Sequence, residues 1–153
     1  MSLYINDGFC AIRSVYDQFL SDLSKKFELS DQGDLEWYLG VSFEQNLEQG
    51  YVRMHQREYI ESMLSRFGMV DANPKYTLLI PGTHLNKDDC SEFPDPAIVK
   101  NYQQQVGSLL FASSACHPDI SYSVNQCALF MSNPGPSHIE AAKHILRYLK
   151  HPG

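Results

Sequence analysis

Apolar and polar positions alternate in short runs through the first third of the chain and then change to helical spacing. Leu3, Tyr4 and Ile5 are strand formers, Asn6-Asp7-Gly8 is a turn signal, and Phe9 to Ile12 read as a returning strand. Ser14 with Asp17 resembles a capping box, and Val15, Phe19, Leu20, Leu23 and Phe27 form one apolar stripe, which predicts a helix over 14–27. "DLEWYLGVSF" (34–43) and "GYVRMHQ" (50–56) read as two strands of a second hairpin, joined by a polar turn. Tyr59, Ile60, Met63, Leu64 and Phe67 stripe a short helix that Gly68 and Pro74 bring to a stop.

Between Pro74 and Pro96 this periodicity is lost. Four prolines and a polar cluster make the segment a connection, with one edge strand expected at Tyr76 to Ile80. Three helices are expected after it. The first carries Ile98, Tyr102, Val106, Leu109 and Leu110, and the second starts near Pro118 with Ile120, Val124, Cys127 and Met131. The third is capped by Ser137 with Glu140 in the box position and carries Ala142, Ile145, Leu146 and Leu149. The fold class is α+β, divided into a strand-bearing part at 1–73, a proline-rich connection at 74–96 and a helical part at 97–153.

Composition narrows what such a domain can bind. Twelve Lys and Arg against eighteen Asp and Glu leave a formal charge of -6, which argues against autonomous binding to phosphate backbones. Any such binding must be local. Lys143, Arg147 and Lys150 recur on one face of the last helix, with His144 and His151 nearby, and are either a solvated basic face or a phosphate contact. Cys10, Cys90, Cys116 and Cys127 lack CxxC spacing and are expected to be reduced thiols. No apolar run approaches the roughly 20 residues that span a bilayer, so an intracellular protein with no membrane partner is expected.

Four ordered blocks add what periodicity does not. They are "LYIND", "LSKKFELSDQGDLEWYLGVSF", "QREYIESMLSRFGM" and the long stretch from "YQQQVGSLLFASS" to "HILRYLK". In this order they resemble the C-terminal portion of the reverse transcriptase of copia-type LTR retrotransposon polyproteins. The resemblance implies a partial right-hand polymerase, with the second half of the palm followed by a helical thumb and connection that ends before a ribonuclease H domain. It also implies RNA-directed DNA polymerase activity in the parent, with a primer-template of RNA or DNA and the remainder of the polyprotein as partners. Tyr4 to Asp7 would be the metal-bearing turn, and Leu39 and Gly40 would belong to the hairpin that grips the primer end. A palm surface left bare would offer a site for self-association.

Nucleotidyl transfer in that family needs Mg2+ held by converging carboxylates. The family takes one aspartate from an upstream strand and two from the hairpin. Here Asn6 stands at the first hairpin position, and its neutral amide cannot balance a cation's charge. Asp7 is therefore expected to be a turn residue left from a catalytic motif, with no Mg2+ held by this chain alone and no polymerase activity of its own.

Other chemistry-bearing residues have plainer explanations. Cys116-His117-Pro118-Asp119 reads as a helix start rather than a nucleophile pair, and His138 and His144 are spaced to point apart. Trp37 and Tyr38 are expected to pack rather than to stack on bases.

Overall fold

A computed structural model describes residues 2–4, 7–9, 13–28, 33–46 and 48–151. The chain divides into two compact units, residues 1–53 and 54–153.

The first unit begins with β1 (Ser2–Tyr4) and β2 (Asp7–Phe9), antiparallel, with Ser2 opposite Phe9, Leu3 opposite Gly8 and Tyr4 opposite Asp7. The hairpin is where the pattern placed it, but its turn is not Asn6-Asp7-Gly8. Asp7 and Gly8 belong to β2, and the two residues between the strands are Ile5 and Asn6, of which Asn6, like Ile5, lies outside the described residues. Helix α1 (Arg13–Ser24) stops short of Phe27, because the amides of Lys26 and Phe27 both donate to the Leu23 carbonyl at 2.9 Å and close the last turn.

The single strand expected over 34–43 is instead a tight hairpin of β3 (Trp37–Tyr38) and β4 (Val41–Asn46), paired Trp37 to Ser42 and Tyr38 to Val41. Leu39 and Gly40 are its two central residues, with φ of 49° and 81°. Two consecutive positive φ values define the type I′ geometry, whose twist matches that of the strands it joins. Gly40 adopts this freely, whereas Leu39 is held there against its Cβ. β5 (Tyr51–His55) completes a three-stranded antiparallel sheet in the order β3-β4-β5, and Arg53 reaches Glu44 at 3.8 Å.

The second unit is helical: α2 (Arg57–Arg66), α3 (Pro96–Ala115), α4 (Ser121–Ala128) and α5 (Pro136–Leu149), with 3₁₀ turns at Lys87–Asp89 and Pro118–Ile120. Helix α2 was grouped with the strands at 1–73. Its Ile60, Met63 and Leu64 are instead buried in the same core as Tyr102, Val106 and Leu109 of α3, Val124 and Cys127 of α4, and Ala142, Ile145 and Leu146 of α5. The helical spacing of these residues is what makes one continuous apolar interior possible.

Residues 74–96 are more than a connection. Tyr76 to Ile80 form no strand. The segment lies over the bundle, with Leu78, Leu79 and Leu85 packed on the core. Its backbone is tied to α5, since the Lys75 amide donates to the Arg147 carbonyl at 3.2 Å and His144 Nε2 donates to the Thr77 carbonyl at 2.9 Å. A chain without a ladder must find partners for its peptide groups elsewhere, and α5 supplies them.

Helix α5 starts differently from the expected box of Ser137 and Glu140. Pro136 is its first residue and Gly135 its cap, and His138 Nδ1 accepts the Gly135 amide proton at 2.8 Å. The Ser137 amide donates to Asp89 Oδ2 at 2.6 Å, so the carboxylate sits on orphan amides at the positive end of the helix. The two segments touch so closely that a Cβ on Gly135 would lie 1.7 Å from the Asp89 carbonyl oxygen. No helix among the described residues is long and apolar enough to cross a membrane.

Gly135→Ala is therefore expected to force the 3₁₀ turn away from α5 and to lower unfolding free energy by about 2 kcal/mol, as overpacking of a filled site does. A thermal melt beside the parent checks it; an unchanged midpoint would refute the close approach.

Candidate nucleic-acid interface and catalytic hairpin

Two hairpins and one helix carry the residues singled out by the sequence. On the first hairpin, β1 ends at Tyr4 and β2 begins at Asp7, so these two face each other across the ladder at its tip. On the second, Leu39 and Gly40 form the tip itself. Beside them Trp37 is 59% exposed, which excludes core packing and leaves packing along the hairpin. An indole held open by a two-residue turn is free to meet a partner. Its exposure was not legible from the run "EWYLGV", because neither face of a short strand is marked there as buried.

Helix α5 does not present the free basic face that its spacing suggested. Lys150 Nζ donates to the Val70 carbonyl and, at 2.8 Å, to the Ala72 carbonyl. Arg147 pairs with Glu140 at 3.3 Å, two turns earlier on its own helix. Lys143 alone of the three has neither an ion pair nor a side-chain hydrogen bond among the described residues. Spacing puts all three on one side of the helix, but Lys150 is taken up by distant chain and Arg147 by its own helix.

The histidines are likewise structural and separate. His138 is fully buried, its ring stacked on Phe130 with centroids 3.9 Å apart. His144 is spent on Thr77, contacting its carbonyl and, at 3.2 Å, its hydroxyl. Cys116 caps α3 and His117 opens the following 3₁₀ turn, as a helix boundary requires. Burial pushes the Cys116 thiol up, the opposite of what an activated nucleophile needs. Asp119 lies between His117 Nδ1 at 4.0 Å and the Tyr148 hydroxyl, which donates to it at 2.8 Å. That hydrogen bond raises the Tyr148 pKa by favouring the protonated phenol. Among the described residues no three His, Cys, Asp or Glu side chains converge to hold a metal ion.

A family model described as "Reverse transcriptase (RNA-dependent DNA polymerase)" matches residues 1–81, more than half the chain and the whole of both hairpins. The chain belongs to the reverse transcriptase family. Relatives of this reverse transcriptase chain include the "Retrovirus-related Pol polyprotein from transposon TNT 1-94" of Nicotiana tabacum, 38% identical over 154 residues. That alignment takes in 97% of the chain and 12% of the polyprotein. The corresponding Pol polyproteins from transposons RE1 and RE2 of Arabidopsis thaliana are 35% and 33% identical over 130 residues, covering 85% of the chain and 8% of each relative. The chain thus spans about a tenth of the length of these curated relatives. No solved structure matches it.

Two substitutions separate structural from interfacial charge. Lys150→Met removes the donor that two carbonyls share and is expected to destabilise the helical unit by about 2 kcal/mol, measured by urea unfolding. Asp89 is held below its ordinary 3.8 chiefly by its hydrogen bonds to Ser137. A depressed carboxylate stabilises above the unfolded pKa and loses that contribution as pH falls through the folded one. Asp89→Asn, which keeps an acceptor but no charge, should therefore melt below the parent at pH 7, with the gap closing below about pH 4.

Proposed function

We propose that this chain is the C-terminal palm and thumb portion of a copia-type retrotransposon reverse transcriptase. In this reading residues up to the second hairpin are palm, and the helical unit is thumb and connection, reached at 53/54 rather than after 73. The observation that carries it is the register of the first hairpin. Tyr4 opposite Asp7 leaves Ile5 and Asn6 between the strands, which puts a Tyr-x-Asn-Asp motif at a hairpin tip, and polymerase carboxylates must converge from such a position. The second hairpin supports the same reading. Its Leu39-Gly40 tip and open Trp37 form an apolar edge suited to lie against the end of a primer.

Joining a nucleotide to a primer 3′-hydroxyl with loss of pyrophosphate needs Mg2+ at two positions, each supplied with anionic oxygen. Asp7 is the one carboxylate in the sequence from Tyr4 to Asp7, and the Asn6 amide adds no charge, so this motif by itself does not fit the pair. The rest of the polyprotein would have to complete the site. Primer-template binding is reduced for the same reason. With Lys150 and Arg147 engaged within the fold, phosphate contacts fall to the hairpins around Tyr4, Leu39 and Gly40 and to Lys143. Few phosphate contacts give a shallow dependence of affinity on salt and weak binding overall.

Primer extension with Mg2+ tests the reading. Neither the chain nor its Asn6→Asp variant should extend a primer, and fluorescence anisotropy should detect duplex only at low ionic strength. An extension product from either, or tight binding at physiological salt, would overturn it.

A further inference from the structure

Two depressions meet between the start of α3 and α5. One, about 350 Å³, is lined by Ile98, Ile139 and Lys143 among others, and the other, about 260 Å³, by Phe93, Asp95, Ile98 and Ile139 among others. They share Ile98 and Ile139, so they are one trough with an apolar middle, a carboxylate at one end and an ammonium at the other. Phe93 stands on the rim, 87% exposed, and Ile98 is 47% exposed. Neither depends on a mobile tail for its position. The Phe93 amide donates to Ser91 Oγ at 3.2 Å, the Ser91 hydroxyl donates to the Phe93 carbonyl at 3.0 Å, and Asn133 Nδ2 donates to the Ser91 carbonyl at 2.8 Å.

We propose that this trough is the contact surface of a two-fold symmetric dimer of the chain. The order acid, apolar, base is self-complementary under a two-fold rotation about its middle. Asp95 of each copy then faces Lys143 of the other, and each Phe93 turns toward the other trough as a knob beside a hole. Both charges are available for this. Asp95 uses Oδ1 to accept the Ala97 amide at 2.8 Å, leaving Oδ2, and Lys143 has no ion pair among the described residues. With the Phe93 backbone already fixed, docking costs little loop ordering, a condition that favours one ring carrying much of a small interface. The same charge order disfavours a nucleic-acid occupant, because Asp95 and the chain's net charge of -6 both repel phosphate.

Sedimentation velocity on the 153-residue chain, from micromolar to submillimolar concentration, reads the proposal directly. A reversible dimer is expected, and Phe93→Ser should weaken it about tenfold. Asp95→Asn, which keeps an N-cap acceptor for α3, and Lys143→Met should each weaken it, and together no more than the worse of the two, since both break the same two symmetry-related pairs. Tyr122→Ser, on α4 and 72% exposed, should change nothing. Circular dichroism identifies any variant that fails to fold. A monomer at every concentration, a Phe93→Ser dimer as tight as the parent, additive charge losses, or a dimer lost in Tyr122→Ser would each overturn the proposal.

Discussion

The helical unit depends on how a stretch without regular hydrogen bonding satisfies its own backbone. From Val70 to Phe93 the chain has no helix or strand beyond one 3₁₀ turn, yet it covers a buried core. Its peptide groups and the Asp89 carboxylate are answered by α5 and its C-cap Lys150 at three levels. Lys150 takes the carbonyls of Val70 and Ala72, the Arg147 carbonyl and His144 take Lys75 and Thr77, and the amide of Ser137 meets Asp89. Buried peptide groups left unpaired are expensive, so α5 and the segment over it order each other.

That constraint explains why polar residues with the look of a site have other duties. A lysine that donates to two carbonyls is no longer free to meet a phosphate, and a histidine accepting a helix-cap amide while stacked on Phe130 cannot reach a metal. It also accounts for Gly135, where Asp89 comes within the space of one methyl group. The two hairpin tips are under a different constraint. There the demands are conformational: Asp7 is set opposite Tyr4 by the ladder, and Leu39 is held at positive φ by the turn that exposes Trp37.

Charge has a different meaning at each scale. The net charge of -6 sets the weak background against which any phosphate contact must work, while Asp95 and Lys143, a trough apart, form a local pattern that a global sum hides.

The sequence by itself determined the existence and order of the elements, because spacing of two or of three to four between apolar residues depends only on neighbours along the chain. The first hairpin, the strand at 50–56, α2 and the three later helices were legible in that way, though not the Leu39-Gly40 turn inside 34–43; the family was legible too, carried by "LYIND", "WYLGV" and the blocks after them. It also determined that Asn6, the residue before Asp7, is a neutral side chain. Only the tertiary structure decided the rest: α2 joining the helices, Asp89 meeting the Ser137 amide beside the Gly135 cap, and Lys150 donating to carbonyls of distant chain while Arg147 pairs with Glu140. Those outcomes depend on which carbonyl, carboxylate or ring lies within 3 to 4 Å, and no local pattern records a neighbour 80 residues away.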